Sequence, residues 1–98
     1  MIMAAIQFWG SARLGTHQSV SYTGTAGTIA NAISTGVYRV RVVCTTDAFI
    51  KIGNSPTAAA TDVPVFANNV EYFTITPGQK VSAIQSSSGG NLHVTEVT

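Results

Sequence analysis

The stretch VYRVRVVCTT, Val37 to Thr46, sets Tyr38, Val40, Val42 and Cys44 on one side of an extended chain and Arg39 and Arg41 on the other. Successive side chains of a strand point to opposite faces. Apolar residues alternating with charge at period two therefore mark a half-buried antiparallel strand, one face on a core and one in water. The pattern recurs on both sides of this stretch. Beyond the tight connection at Asp47-Ala48, a second strand is expected over Phe49 to Ile52, closed by Gly53-Asn54-Ser55-Pro56, a run of turn formers. Val70 to Thr76 opposes Phe73 and Ile75 to Tyr72 and Thr74, and Lys80 to Gln85 puts Val81 and Ala83 on one face. Leu92 to Val97 opposes Leu92 and Val94 to His93 and Thr95. Pro77-Gly78 suits the centre of a type II turn, with Pro fixing φ and Gly supplying the positive φ. Asn68-Asn69 reads as a turn and Ser86 to Asn91 as a flexible hairpin loop.

Upstream, Ser19 to Thr23 alternates Val20 and Tyr22 with serines, and Gly24 and Gly27 mark a turn. Thr28 to Ser34, with Ile29 and Ile33, fits a strand or one short helical turn. Residues 57–69, TAAATDVPVFANN, form the longest irregular stretch. Pro64 has no N–H to give to a ladder, which excludes a central strand position. Val63, Val65 and Phe66 call for burial, so this segment is expected to cross an edge or end of the fold. Residues 1–14 concentrate Ile2, Met3, Ile6, Phe8, Trp9 and Leu14. They read as a first strand or, over residues 1–15, as an N-terminal arm that docks on a neighbour.

Seven or eight short strands, separated by turn signals, predict an all-β fold: an antiparallel β-sandwich forming a single domain over residues 1–98. Composition agrees, with 11 Val and 13 Thr against two each of Leu, Lys and Glu. β-Branched side chains suit a pleated surface better than a helix. Charged residues make up 9% of the chain, where about 25% is usual. Contact surfaces are depleted in Lys, Glu and Asp, so this composition fits a subunit touched by several partners. A monomer coated with Ser and Thr is the alternative. A net charge of +1 with no basic run gives no case for nucleic acid. No segment reaches the roughly 20 apolar residues of a membrane span, and the apolar start lacks the positive region of a signal peptide. The chain reads as cytosolic when made, and soluble.

Chemistry is sparse. His17 and His93 are distant in sequence, with His17 expected in a loop and His93 facing outward from a strand. A metal site needs three or four ligands of suitable type, and His17, His93, Cys44 and a carboxylate have no spacing that supports one. Cys44 falls on the apolar face and reads as a buried hydrophobe rather than a nucleophile. Asp47, Asp62, Glu71 and Glu96 sit near turns or at solvent-facing strand positions, without a pairing suited to acid–base work. No cofactor is implied, and the chain is not expected to be an enzyme. The candidate partner-interface residues are Ile2, Phe8, Trp9, Arg39, Arg41 and Lys51. Arg39 and Arg41 project the same way and, with Lys51 on the neighbouring strand, form a basic stripe suited to a partner's carboxylate. Aromatic groups such as Phe8 and Trp9 are favoured interface anchors.

From Val37 onward the chain resembles small structural proteins of tailed bacteriophages and prophages. The resemblance rests on IKIGNSPTA from Ile50 to Ala58, EYFTITPGQKVSAIQ from Glu71 to Gln85, and VTE from Val94 to Glu96. It implies a jelly-roll-like sandwich in the virion, on the outside of the capsid, decorating or cementing the head shell. Its partners would be the major capsid protein or other virion subunits, and its own state a homo-dimer or homo-trimer. A tail- or fibre-associated module is the alternative role. A carbohydrate-binding module, stacking Trp9, Tyr22, Tyr38 or Tyr72 on sugars, is the alternative from a different class. The expected core-facing position of Tyr38 counts against it.

Overall fold

The computed structural model describes residues 13–98, so Ile2, Phe8 and Trp9 lie outside the described residues. Eight strands follow one another: β1 Leu14–Tyr22, β2 Gly27–Thr28, β3 Arg39–Cys44, β4 Ala48–Gly53, β5 Val63–Val65, β6 Glu71–Thr74, β7 Lys80–Gln85 and β8 Gly90–Val97. They form two four-stranded sheets, ordered β1-β8-β3-β6 and β2-β7-β4-β5. Every pairing is antiparallel. The all-β sandwich expected from the alternation is what the chain forms.

The pairings nest. β4 pairs with β5, β3 with β6, β2 with β7 and β1 with β8. Only the β4–β5 connection stays within one sheet. Ser86 to Asn91, expected to close a hairpin, instead carries the chain from β7 in one sheet to β8 in the other. The link at Asp47 does the same between β3 and β4. Short polar turns look alike in sequence whether they join paired strands or strands in facing sheets.

Alternation places the core between the sheets. Tyr22, Val40, Val42, Cys44, Leu92 and Val94 come from one sheet, and Ile50, Val65, Val81 and Ala83 from the other. Ile29, Ile33 and Ile75 plug the ends from the connections. Only Gly27–Thr28 of the Thr28–Ser34 region is strand, and the two isoleucines reach the core from irregular chain. The turn chemistry is as expected. Gly78 has φ +94° and Gln79 N–H donates to the Thr76 carbonyl at 3.0 Å. Asn68 has φ +61° and Asn69 N–H closes on the Phe66 carbonyl at 3.2 Å.

Four further expectations need correction. The strand that begins the described region is longer than Ser19 to Thr23. Leu14 pairs with Val97, and Arg13 and Thr98 exchange backbone hydrogen bonds of 2.8 and 3.0 Å. Leu14 and Gly15 therefore belong to β1 rather than to an arm. Tyr38 precedes β3 instead of sharing its inner face, and is 64% exposed, because its neighbour Val37 is the residue that enters the core there. Val63 and Phe66 are exposed while Val65 is buried, because β5 is a three-residue edge strand with no further strand beside it among the described residues. Pro64 sits in that edge strand, where its missing N–H is harmless. Glu96 is buried rather than solvent-facing: Ser34 N–H and Oγ–H donate to its carboxylate at 3.0 and 2.9 Å.

Residues 54–62 take a course that no strand pattern announces. Ser82 points away from the core on β7 yet is fully buried. Its hydroxyl accepts Ala58 N–H at 3.0 Å and lies 3.1 Å from Thr28 Oγ1. The loop after β4 thus folds over the outer face of its own sheet, burying Pro56 and Ala58. A buried hydroxyl needs such partners, and Ser82 has them.

Candidate functional site

The outer face of the β1-β8-β3-β6 sheet gathers the polar groups that the strand pattern sends away from the core. One row crosses all four strands: His17 opposite Thr95, Thr95 opposite Arg41, Arg41 opposite Tyr72. The row above holds Ser19, His93 and Val43, and the row below Val97, Arg39 and Thr74. Strands lie about 4.8 Å apart, so the central row spans roughly 14 Å. These three rows contain two arginines and two histidines and no carboxylate, so the face favours an acidic partner.

Arg39 and Arg41 lie together on this face, as expected. Arg39 also reaches diagonally over the half-exposed Tyr72, its Cζ 5.7 Å from the ring centroid. Such an exposed cation–π contact is worth about 0.5–1 kcal/mol; it also orders the arginine. Lys51 does not join them. Its strand β4 belongs to the other sheet, and Lys51 points outward from the opposite side of the sandwich, between the core residues Ile50 and Ile52. The expected basic stripe of three is therefore a pair, extended by histidines.

His17 is in β1, not in a loop, and this is the residue the sequence reading missed. Continuing the alternation of Ser19 and Ser21 back by one step puts it on their face. Its meeting with His93 depends on the β1–β8 register. The two rings are 5.4 Å apart between centroids and 16° from parallel. His17 Nε2 lies 3.4 Å from His93 Nδ1, and His17 Nδ1 lies 2.9 Å from Thr95 Oγ1. Among the described residues no three His, Cys, Asp or Glu side chains cluster as a metal site.

Cys44 lies on the inner face of the same sheet, 1% exposed. Burial pushes its thiol from 9.0 up to about 11, opposed in part by the nearby Tyr22 hydroxyl. Tyr22 is also raised, chiefly by burial. Below pH 9 folded and unfolded chains both keep the thiol proton, and stability is undiminished. Between pH 9 and 11 only the unfolded chain releases it, so stability is expected to fall by about 2–3 kcal/mol. Urea midpoints measured from pH 7 to 11 check this, with Cys44→Ala as control. A slope unchanged by that substitution would sink the assignment.

Large apolar groups are exposed along one side of the sandwich. Val63, Phe66, Val70 and Tyr72 are 56%, 59%, 43% and 50% exposed. They lie on the edge strands β5 and β6 and the chain between them, where both sheets end. No helix of the described residues is long and apolar enough to cross a membrane. Comparison with protein-family models, curated proteins and solved structures finds no match.

Proposed function

We propose that this protein is a structural subunit of a tailed-phage virion, a decoration or cement protein that binds the capsid surface and stabilises the head shell. The observation that carries this reading is the β5–β6 side. There, four large apolar or aromatic groups are exposed on two sheet edges, beside the arginine pair on the adjoining face. Exposed apolar surface and open edges are the places where small β-modules meet neighbours. Arg39 and Arg41 supply charge recognition at the rim of that side. The nested pairing of first strand with last, second with seventh, and so inward, supports naming the sandwich a jelly roll, an eight-stranded roll of two Greek keys.

The mechanism is bridging. A module that binds the assembled shell and not free subunits stabilises the shell by mass action. Many copies multiply a weak contact. The partner is the major capsid protein or another virion subunit, the protein acts as a homo-dimer or homo-trimer matched to a symmetry axis, and it works on the capsid surface after synthesis in the host cytoplasm. No enzyme activity or cofactor enters this reading. A tail or fibre location would use the same surface.

The carbohydrate-binding reading gains one observation: Tyr38 is exposed, as is Tyr72, which removes an objection to sugar stacking.

The test is light scattering over a concentration series, followed by co-sedimentation with capsids. A stable dimer or trimer that pellets with shells, and loses that binding in Phe66→Ser, is expected. A monomer at every concentration that ignores shells and binds a glycan array would replace this reading with the carbohydrate one.

A further inference from the structure

We propose that His17 and His93 form a binding site for a nitrogen-preferring divalent transition metal, Zn²⁺ or Ni²⁺, on the outer face of the β1-β8-β3-β6 sheet. Imidazole binds zinc at about 2.0–2.1 Å, so two nitrogens on one tetrahedral ion lie about 3.3–3.4 Å apart. His17 Nε2 and His93 Nδ1 are 3.4 Å apart, which is longer than a good N–H···N hydrogen bond and matches the span across one ion. Two imidazoles sharing a plane on such an ion would have centroids about 5 Å apart. The rings are 5.4 Å apart and 16° from parallel.

Thr95 adds an independent observation. Metal-bound histidines donate their other ring N–H to a fixed acceptor, which sets the tautomer and the ring orientation. Thr95 Oγ1 stands 2.9 Å from His17 Nδ1, and Thr95 is 8% exposed. With the proton on Nδ1 donated to that oxygen, the His17 Nε2 lone pair faces His93. The site is built into paired strands, because His17 lies opposite Thr95 and diagonal to His93 across β1 and β8. His17 is exposed, and the two remaining positions of a tetrahedral ion are taken by water. Two protein ligands, with Arg41 opposite Thr95 in the same row, make binding weaker than at a four-ligand structural site. Zinc and nickel remain the fitting class, since imidazole suits them and hard oxygen-seeking ions find no carboxylate in these rows.

The experiment is a titration of tag-free, chelator-stripped protein with zinc chloride or nickel chloride at pH 7.5, followed by the histidine ring resonances and by calorimetry. The expected result is that both rings shift together at one equivalent. His17→Gln or His93→Gln should remove that binding, and Thr95→Val should weaken it about 10–100-fold. Ligation needs neutral imidazoles, so affinity should fall on acidification. Circular dichroism of each variant confirms that the sandwich is intact. Absence of any ring shift, or binding that survives both histidine substitutions, overturns the site.

Discussion

Replacing Tyr22 with alanine is expected to cost about 3–5 kcal/mol of stability, as aromatic-to-alanine changes do in packed cores. Tyr22 is the last residue of β1 and 1% exposed. Its hydroxyl donates to the Thr46 carbonyl at 2.8 Å, accepts Thr46 N–H at 3.2 Å and lies 2.8 Å from Thr46 Oγ1. One side chain thus fills the core and also anchors the β3–β4 crossing. Its strand partner is Gly90, where a Cβ would come within 2.8 Å of the Tyr22 hydroxyl oxygen and 2.6 Å of Thr46 Oγ1. The alanine variant leaves a cavity and takes the Tyr22 hydroxyl from the Thr46 N–H and carbonyl. Tyr22→Phe separates the two effects: it keeps the ring and should cost only the about 1–3 kcal/mol of an unsatisfied buried group. Domain stabilities run about 5–15 kcal/mol, so the alanine variant approaches the unfolding threshold. Urea denaturation of the three proteins measures this, and equal losses for Phe and Ala would show that ring packing contributes nothing.

The strands were legible because each carries its own alternation. Val40, Val42 and Cys44 needed no knowledge of the rest of the chain to be assigned inward, nor did Leu92 and Val94. The type II turn at Pro77-Gly78 was equally local, since only glycine adopts its φ of +94° cheaply. What failed depends on which strands become neighbours. Lys51 and Arg41 are ten residues apart in the chain and on opposite sides of the sandwich. His17 and His93 span nearly the whole chain and meet nitrogen to nitrogen at 3.4 Å. Tyr38 shows the limit of extrapolating a period: the alternation continues in sequence one residue past the end of the strand, where Val37 instead of Tyr38 enters the core. Ser82 and Glu96 show the complementary limit. Strand alternation turns Ser82 away from the core and the sequence places Glu96 near a turn or in solvent, yet a folded-back loop buries the first and Ser34 partners the second. Neither partner is near in sequence, so no local pattern announces the burial.

The exposed apolar side follows from the same topology. β5 and β6 are consecutive but end different sheets, so the short chain between them wraps one side of the sandwich and collects Phe66 and Val70 there. Their exposure is a consequence of where the nested ribbon folds at its innermost hairpin. A designed monomer would cover or charge such an edge; here acidic groups flank the strip, with Asp62 beside Val63, Glu71 beside Val70 and Asp47 accepting Ala67 N–H at 2.8 Å, while Arg39 and Arg41 lie on the adjoining face.

The Gly27→Ala substitution is expected to cost about 3 kcal/mol or more, the upper end of overpacking effects. A Cβ at Gly27 would be driven into the Ser21 carbonyl oxygen, far inside contact distance, and would also meet the Val20 side chain. The obstacle is backbone, so no rotamer change relieves it. β2 must instead lift away from β1. That strand is only two residues long and pairs Gly27 with Ala83 and Thr28 with Ser82, so lifting it strains the Ile29 N–H to Val81 carbonyl bond of 3.0 Å and the Thr28–Ser82 contact. Gly24→Ala is the matched control three residues earlier. A Cβ there meets only Gln85 Nε2 at 3.7 Å, an ordinary contact, and the lost freedom of the unfolded chain could even stabilise by about 0.4–1 kcal/mol. The same chemical change in the same turn should therefore have opposite or very unequal effects. Thermal and urea unfolding of both variants decide the matter. Near-equal stabilities would mean that the β1–β2 passage is looser than the close approach of Gly27 to Ser21 requires.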